Sequence, residues 1–256
     1  MQWNQLQTDA YEGMISETIP LKGYGDVVVN AYTARPLGPG PFAGMVFVHH
    51  VPGWDEFTRE TVRRLAQHGY NVICPNLFFR AGHGTPEDIA AKIRGDGGVA
   101  DASMVGDLSA GLEWLKSLPT SNGKVGIMGP CSGGRGTFLT ACSVQGFDAA
   151  VECWGGAVVM APDQLNQKRP VSPIDLTKDL SCPLLGLFGN DDQGPSPEQV
   201  NQHEEELKKH GKTYEFHRYD GAGHGFFYYD RPAYRQQQAM DAWGKIFTFL
   251  GDHLQK

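Results

Sequence analysis

Lys124-Val-Gly-Ile-Met-Gly-Pro-Cys-Ser-Gly-Gly-Arg-Gly136 decides the fold of this chain. Val125, Ile127 and Met128 form the short apolar run of a buried strand, and Gly129 and Gly133 then flank Cys131 two residues to either side. The spacing has a mechanical reason. A nucleophile on a sharp strand-to-helix turn sits in a strained backbone conformation with other chain close by, so the positions two before and two after it want no side chain. The helix that follows aims its free amide groups at whatever the nucleophile attacks. Cysteine suits the position, because thiolate is a strong nucleophile near neutral pH and a helix N-terminus favours it. A lone cysteine is otherwise most often a small buried hydrophobe. A phosphate-binding loop fails, since Arg135 and Gly136 occupy the places of its Lys and Ser/Thr. Ser132 fails as nucleophile, since Pro130 would stand where the first glycine belongs.

Outward from this stretch, 256 residues fit one large α/β domain, and no Pro/Ser-rich or charged linker divides residues 1–256. A net charge of −7 without a basic cluster argues against nucleic acid or an anionic membrane as partner and for small-molecule chemistry. Met1 to Gln5 lacks the basic and apolar regions of a signal peptide, and nowhere do about 18 apolar residues run together. The expectation is a soluble, cytoplasmic protein. The five cysteines (Cys74, Cys131, Cys142, Cys153, Cys182) are odd in number, spread out and without a C-x-x-C pair, so they read as reduced thiols.

In chain order, partial alternation over Met14 to Pro20 and Val27 to Thr33 predicts an antiparallel pair at one sheet edge. Ala43 to His49 reads as the first central strand, Asp55 to His68 as a helix and Asn71 to Pro75 as the next strand, an alternation that marks a parallel sheet. Residues 82–100 have weak periodicity and several glycines, which predicts a long excursion above the sheet. Met104, Leu108, Leu112, Leu115 and Leu118 mark a helix before the central strand. Beyond the elbow helix come a strand over Ala149 to Trp154, a loop over 162–179 and a strand over Pro183 to Phe188. The capping box Ser196-Pro-Glu-Gln199 then opens a helix to about His210, and a last strand, Thr213 to Tyr219, and a terminal helix follow.

Three reactive residues fall at the carboxyl ends of successive predicted strands: Cys131, then Asp192 or Asp191, then His224. Those ends share one crevice in an open parallel sheet. The chain order nucleophile, acid, histidine is that of the α/β-hydrolase fold. G-x-x-D spacing favours Asp192 over Asp191. His224 would hold the thiolate as an ion pair and later activate water, the carboxylate would orient the imidazole, and the amides of Ser132 and Val51 would form the oxyanion hole. Trp54 and Trp154 are placed to line an apolar pocket over the thiol. His49, His50, His83 and His224 lack the spacing of a metal site, so no metal and no cofactor are expected.

The elbow, His50-Val-Pro-Gly53, Pro75-Asn-Leu-Phe-Phe-Arg80, His224-Gly-Phe226 and Asp241-Ala-Trp243 together resemble the dienelactone hydrolase family, over about Glu17 to Leu254. The resemblance implies an α/β-hydrolase fold with a mostly parallel sheet, helices on both faces and an antiparallel N-terminal edge. It also implies a Cys131-Asp192-His224 triad that opens enol lactones through a thioester, and an Arg80 that grips a substrate carboxylate. Two positions depart from the family pattern. His50 stands in place of a glutamate that pairs with the resting thiol, so His50 is expected either to join His224 in keeping Cys131 as thiolate or to pack in its loop. Tyr228 stands in place of a carboxylate-binding arginine, with Arg231 nearby but out of register. A broader carboxylesterase or thioesterase, and a non-catalytic ligand receptor or thiol sensor, are the alternative readings, and a monomer or small homo-oligomer is expected.

Overall fold

The structure, a computed structural model, describes residues 13–256, so the reading of Met1 to Gln5 lies outside the described residues. Eight strands form one sheet: β1 (Met14–Lys22), β2 (Val28–Pro36), β3 (Phe42–Phe47), β4 (Tyr70–Pro75), β5 (Ser121–Pro130), β6 (Ala149–Cys153), β7 (Leu184–Gly189) and β8 (Tyr214–Tyr219). Their spatial order is β1-β2-β4-β3-β5-β6-β7-β8. β2 runs antiparallel to both β1 and β4, and every other neighbouring pair is parallel. The expected antiparallel edge is therefore present, with register from Met14 opposite Pro36 to Lys22 opposite Val28.

Alternation along the buried strands divides the core in two. On β3, Met45 and Phe47 face the side covered by α1 (Glu56–Gln67) and α6 (Gln236–Leu254), and Val46 faces the side covered by α3 (Asp101–Ser117) and α4 (Ser132–Ser143). α5 (Pro197–Lys209) adds Leu207 to the second side. Each fully buried Leu, Ile, Val or Phe contributes about 1.5–3 kcal/mol, so both layers are needed to hold the sheet. Local signals place the helix starts: Asp55 accepts from the Thr58 amide at 2.9 Å to cap α1, and Ser196 with Gln199 forms a capping box on α5.

Residues 82–100 are more regular than expected. They contain the helix α2 (Pro86–Gly95), capped by Thr85 with Pro86 in its first turn. Gly82, Gly84, Gly95, Gly97 and Gly98 crowd the apolar signal of so short a helix, whereas Thr-Pro-Glu-Asp is a helix start readable on its own. All five cysteines are free thiols, and no helix among the described residues is long and apolar enough to cross a membrane.

Candidate active site

β5 ends at Pro130, and Cys131 caps α4 with φ 56° and ψ −125°. Such a backbone is costly for a residue with a Cβ and persists only where its surroundings enforce it. Here the Cys131 amide donates to the Cys153 carbonyl at the end of β6, at 3.0 Å. The flanking glycines admit the close approach: a Cβ on Gly129 would lie 2.6 Å from the Val48 carbonyl oxygen, and one on Gly133 would run into that same oxygen. The thiol is half-buried at the tip of the turn. Trp154, completely buried at the end of β6, also has positive φ (38°), so two neighbouring strand ends are strained at this point.

The loops after β7 and β8 bring an acid to a histidine. His224 Nδ1 lies 2.9 Å from Asp192 Oδ2, and the other Asp192 oxygen accepts from the Gly194 amide at 2.8 Å. Of the two candidate acids, Asp192 is the buried one that meets His224, while Asp191 is exposed. Burial opposes a charged imidazole, yet the hydrogen bonds with Asp192 and Cys131 outweigh it and push His224 up to about 10.

The amides of Val51, after β3, and Ser132, first in α4, have no hydrogen-bond partner among the described residues. His49 holds the Val51 loop in place. Its Nδ1 bonds the His50 carbonyl at 2.9 Å and its Nε2 accepts from the Leu77 amide at 3.1 Å, which needs the neutral ring. Burial first of all depresses its pKa to about 4 and keeps it so.

His50, 1% exposed, uses both ring nitrogens, Nδ1 with the Tyr228 hydroxyl at 2.8 Å and Nε2 with Asp55 Oδ2 at 2.7 Å. Its described hydrogen bonds thus go to neighbours of the thiol, not to the thiol. Arg80 binds both oxygens of the buried Asp107, at 2.6 and 3.1 Å, and the Tyr24 carbonyl at 2.9 Å. Trp154 and Tyr228 belong to the core cluster against which Cys131 and Trp54 pack. Pro52, Trp54, Phe78, His83 and Ile89 border a cavity of about 300 Å³ whose lining includes none of Cys131, Asp192 and His224.

Some contributors escape sequence reading. Asp55 had a visible signal, its N-cap position, but its second contact to His50 depends on the loop's path. Arg135, 2% exposed in the elbow helix, binds both oxygens of Asp101 at 2.6 and 3.0 Å and ties the start of α4 to that of α3. Its signal was an arginine inside a glycine-rich turn. No group of three or more His, Cys, Asp or Glu side chains that could hold a metal occurs among the described residues.

The family model of the dienelactone hydrolase family matches residues 29–254. A "Putative carboxymethylenebutenolidase" of Methylorubrum extorquens is 33% identical over 246 residues, covering 94% of this chain and 82% of the relative. One of the same name from Escherichia coli K12 is 33% identical over 223 residues, covering 86% and 81%. The crystal structure of a "Putative Dienelactone Hydrolase" from Klebsiella pneumoniae superposes with a TM-score of 0.85 at 29% identity, covering 94% of this chain and 99% of that one. With an eight-stranded, mostly parallel sheet, helices on both faces and these relatives, the chain belongs to the dienelactone hydrolase family, hydrolytic enzymes of α/β-hydrolase fold.

Proposed function

We propose that the protein hydrolyses a carboxylic ester or lactone through a thioester on Cys131. The observations that support this most are the strained Cys131 backbone, φ 56°, at the tip of the turn after β5, and His224 held 2.9 Å from a buried carboxylate with Cys131 among the groups that raise its pKa. The sulfur attacks the carbonyl carbon, a C–S bond forms, and the carbonyl electrons move onto oxygen, where the Val51 and Ser132 amides receive the charge. The tetrahedral centre collapses, the C–O bond breaks, and the leaving oxygen takes the proton from His224 Nε2. A water then gives its proton to Nε2 and attacks the thioester, and the sulfur leaves as thiolate beside a restored imidazolium. Asp192, on Nδ1, holds the ring in one tautomer and orientation throughout.

A thiolate is a good leaving group, so an intermediate with an amine tends to return to substrate, while enolate and phenolate leave readily. Activated esters and enol lactones suit the site better than amides. Arg80 has its charge already matched by Asp107, which favours substrates that need no carboxylate grip. Five free thiols suit the reducing cytoplasm, and the partner is a small molecule. Stopped-flow turnover of p-nitrophenyl acetate and a dienelactone by wild type and Cys131→Ser tests this. Turnover that the variant loses is expected. No turnover of either ester by wild type would contradict the proposal and leave a ligand receptor or thiol sensor.

A further inference from the structure

Glu152 on β6 and His203 on α5 are 0% and 2% exposed, and the Cys131, Asp192 and His224 chemistry has no use for either. Phe138 of α4 and Phe216 of β8 pack edge-on against the His203 ring, with centroids 4.4 and 5.2 Å away. Both carboxyl oxygens of Glu152 and Nε2 of His203 lack a hydrogen-bond partner among the described residues. His203 Nδ1 lies 3.8 Å from Glu152 Oε2, too far for a hydrogen bond. Buried polar groups left in that state cost free energy. Both side chains line a cavity of about 10 Å³, to which Gln199 adds a third polar group among apolar neighbours such as Val158, Phe188 and Val200.

We propose that this cavity is a binding site for one water molecule, which bridges the carboxylic acid of Glu152 to the imidazole of His203. The site goes beyond the ester-cleaving reading and does not depend on it.

Size and polarity both select water. About 10 Å³ is the room that a single water needs, and a buried water is kept by two to four polar partners, whereas a cavity with apolar walls alone stays dry. Glu152, His203 and Gln199 are such partners. Burial raises Glu152 well above its ordinary value and lowers His203 to about 3, so the two are an acid and a neutral ring and not an ion pair. The carboxylic O–H donates to the water, and the water donates to the bare ring nitrogen. A water about 2.8 Å from each partner spans the gap between Oε2 and Nδ1 from one side. No proton is transferred. The place of the site gives it consequence. A Cβ on Gly155 would come 2.6 Å from Glu152 Oε1 and 2.9 Å from the Arg135 amide nitrogen in the first turn of α4, and Pro195, in the loop that follows Asp192, borders the cavity. The water therefore joins β6 to α5 beside both the turn that carries Cys131 and the loop that carries Asp192. By giving the acid an acceptor, it also lets Glu152 keep its proton, so that no negative charge arises next to that helix turn.

The test is a crystal structure of the full-length wild type and of Glu152→Leu at a resolution that shows ordered water. The expected result is one water peak within about 2.6–3.2 Å of both a Glu152 carboxyl oxygen and a His203 ring nitrogen in wild type, and its loss in Glu152→Leu. An empty cavity, a direct hydrogen bond between Glu152 and His203, or a metal cation at the position would overturn the proposal. If Glu152→Leu does not fold, the wild-type peak decides together with infrared difference spectra of wild type against Glu152→Gln at neutral pH. These should show the carbonyl band of a hydrogen-bonded carboxylic acid. The bands of a carboxylate, or the higher-frequency band of an acid without a hydrogen bond, would contradict the bridge. Neither measurement reads ester cleavage, so a failure here leaves that reading standing.

Discussion

The Arg80 guanidinium closes on both oxygens of Asp107, at 2.6 and 3.1 Å, with the carboxylate 1% exposed and the arginine side chain 29% exposed. The arginine that the family resemblance assigns to a substrate carboxylate thus holds α3 to the segment after β4. Removing it strands a buried charge. Arg80→Met is expected to lose about 3 kcal/mol in urea unfolding, the low end for breaking a buried pair because the arginine is partly wet. Its KM for an uncharged ester should stay within about twofold of wild type. A large rise in KM at unchanged stability would return Arg80 to the substrate.

Gly133 has no room for a Cβ, which would meet the carbonyls of Val48 and His49. Those atoms are backbone, so nothing flexible can move aside. Gly133→Ala is expected to lose about 1–3 kcal/mol or more and most ester turnover. Wild-type melting and activity would show that the elbow tolerates widening.

Asp192 and Cys131 raise His224 to about 10, against an ordinary value of 6.5. A histidine raised on folding contributes stability that is fully present below about 6.5 and lost as pH rises through about 10. In Asp192→Asn the His224 ring resonances should titrate at lower pH than in wild type, and kcat should fall about 10²–10⁴-fold. An unmoved titration would mean that the carboxylate does not act on the ring.

Glu152 is fully buried on β6, beside Gly129 of the elbow strand, and neither carboxyl oxygen has a hydrogen-bond partner among the described residues. Burial raises it well above its ordinary value of 4.5. The folded state therefore keeps a proton that the unfolded chain releases, and stability falls as pH rises above about 4.5. Glu152→Gln should melt about 2–4 °C higher than wild type at pH 8 and alike near pH 4. A lower melting temperature at pH 8 would show that the carboxylate is matched, with His203, 3.8 Å away, as its nearest basic group.

Most of the architecture was legible because it rests on local signals. Apolar runs marked β3, β5 and β7, Ser196 and Gln199 marked the start of α5, and the glycines at 129 and 133 marked the turn at Cys131. Strand ends that share one edge then pointed to Cys131, Asp192 and His224 as the candidate site, of which the structure joins Asp192 to His224. What stayed hidden were partnerships across long sequence separation. Arg80 and Asp107 are joined only once α3 lies on β4, and His50 and Tyr228, 178 positions apart, touch only when the loops after β3 and β8 converge. No period or spacing encodes such a contact. The helix α2 was missed for the opposite reason, since its glycine-rich flanks masked a short local signal.

The most direct measurement is intact and peptide mass spectrometry of the protein acid-quenched within milliseconds of mixing with p-nitrophenyl acetate. One acetyl group on the peptide that carries Cys131, appearing and decaying at the rate of turnover and absent in Cys131→Ala, is the predicted result. Turnover with no acyl group on Cys131, or an acyl group that Cys131→Ala retains, would contradict the nucleophile and the mechanism built on it.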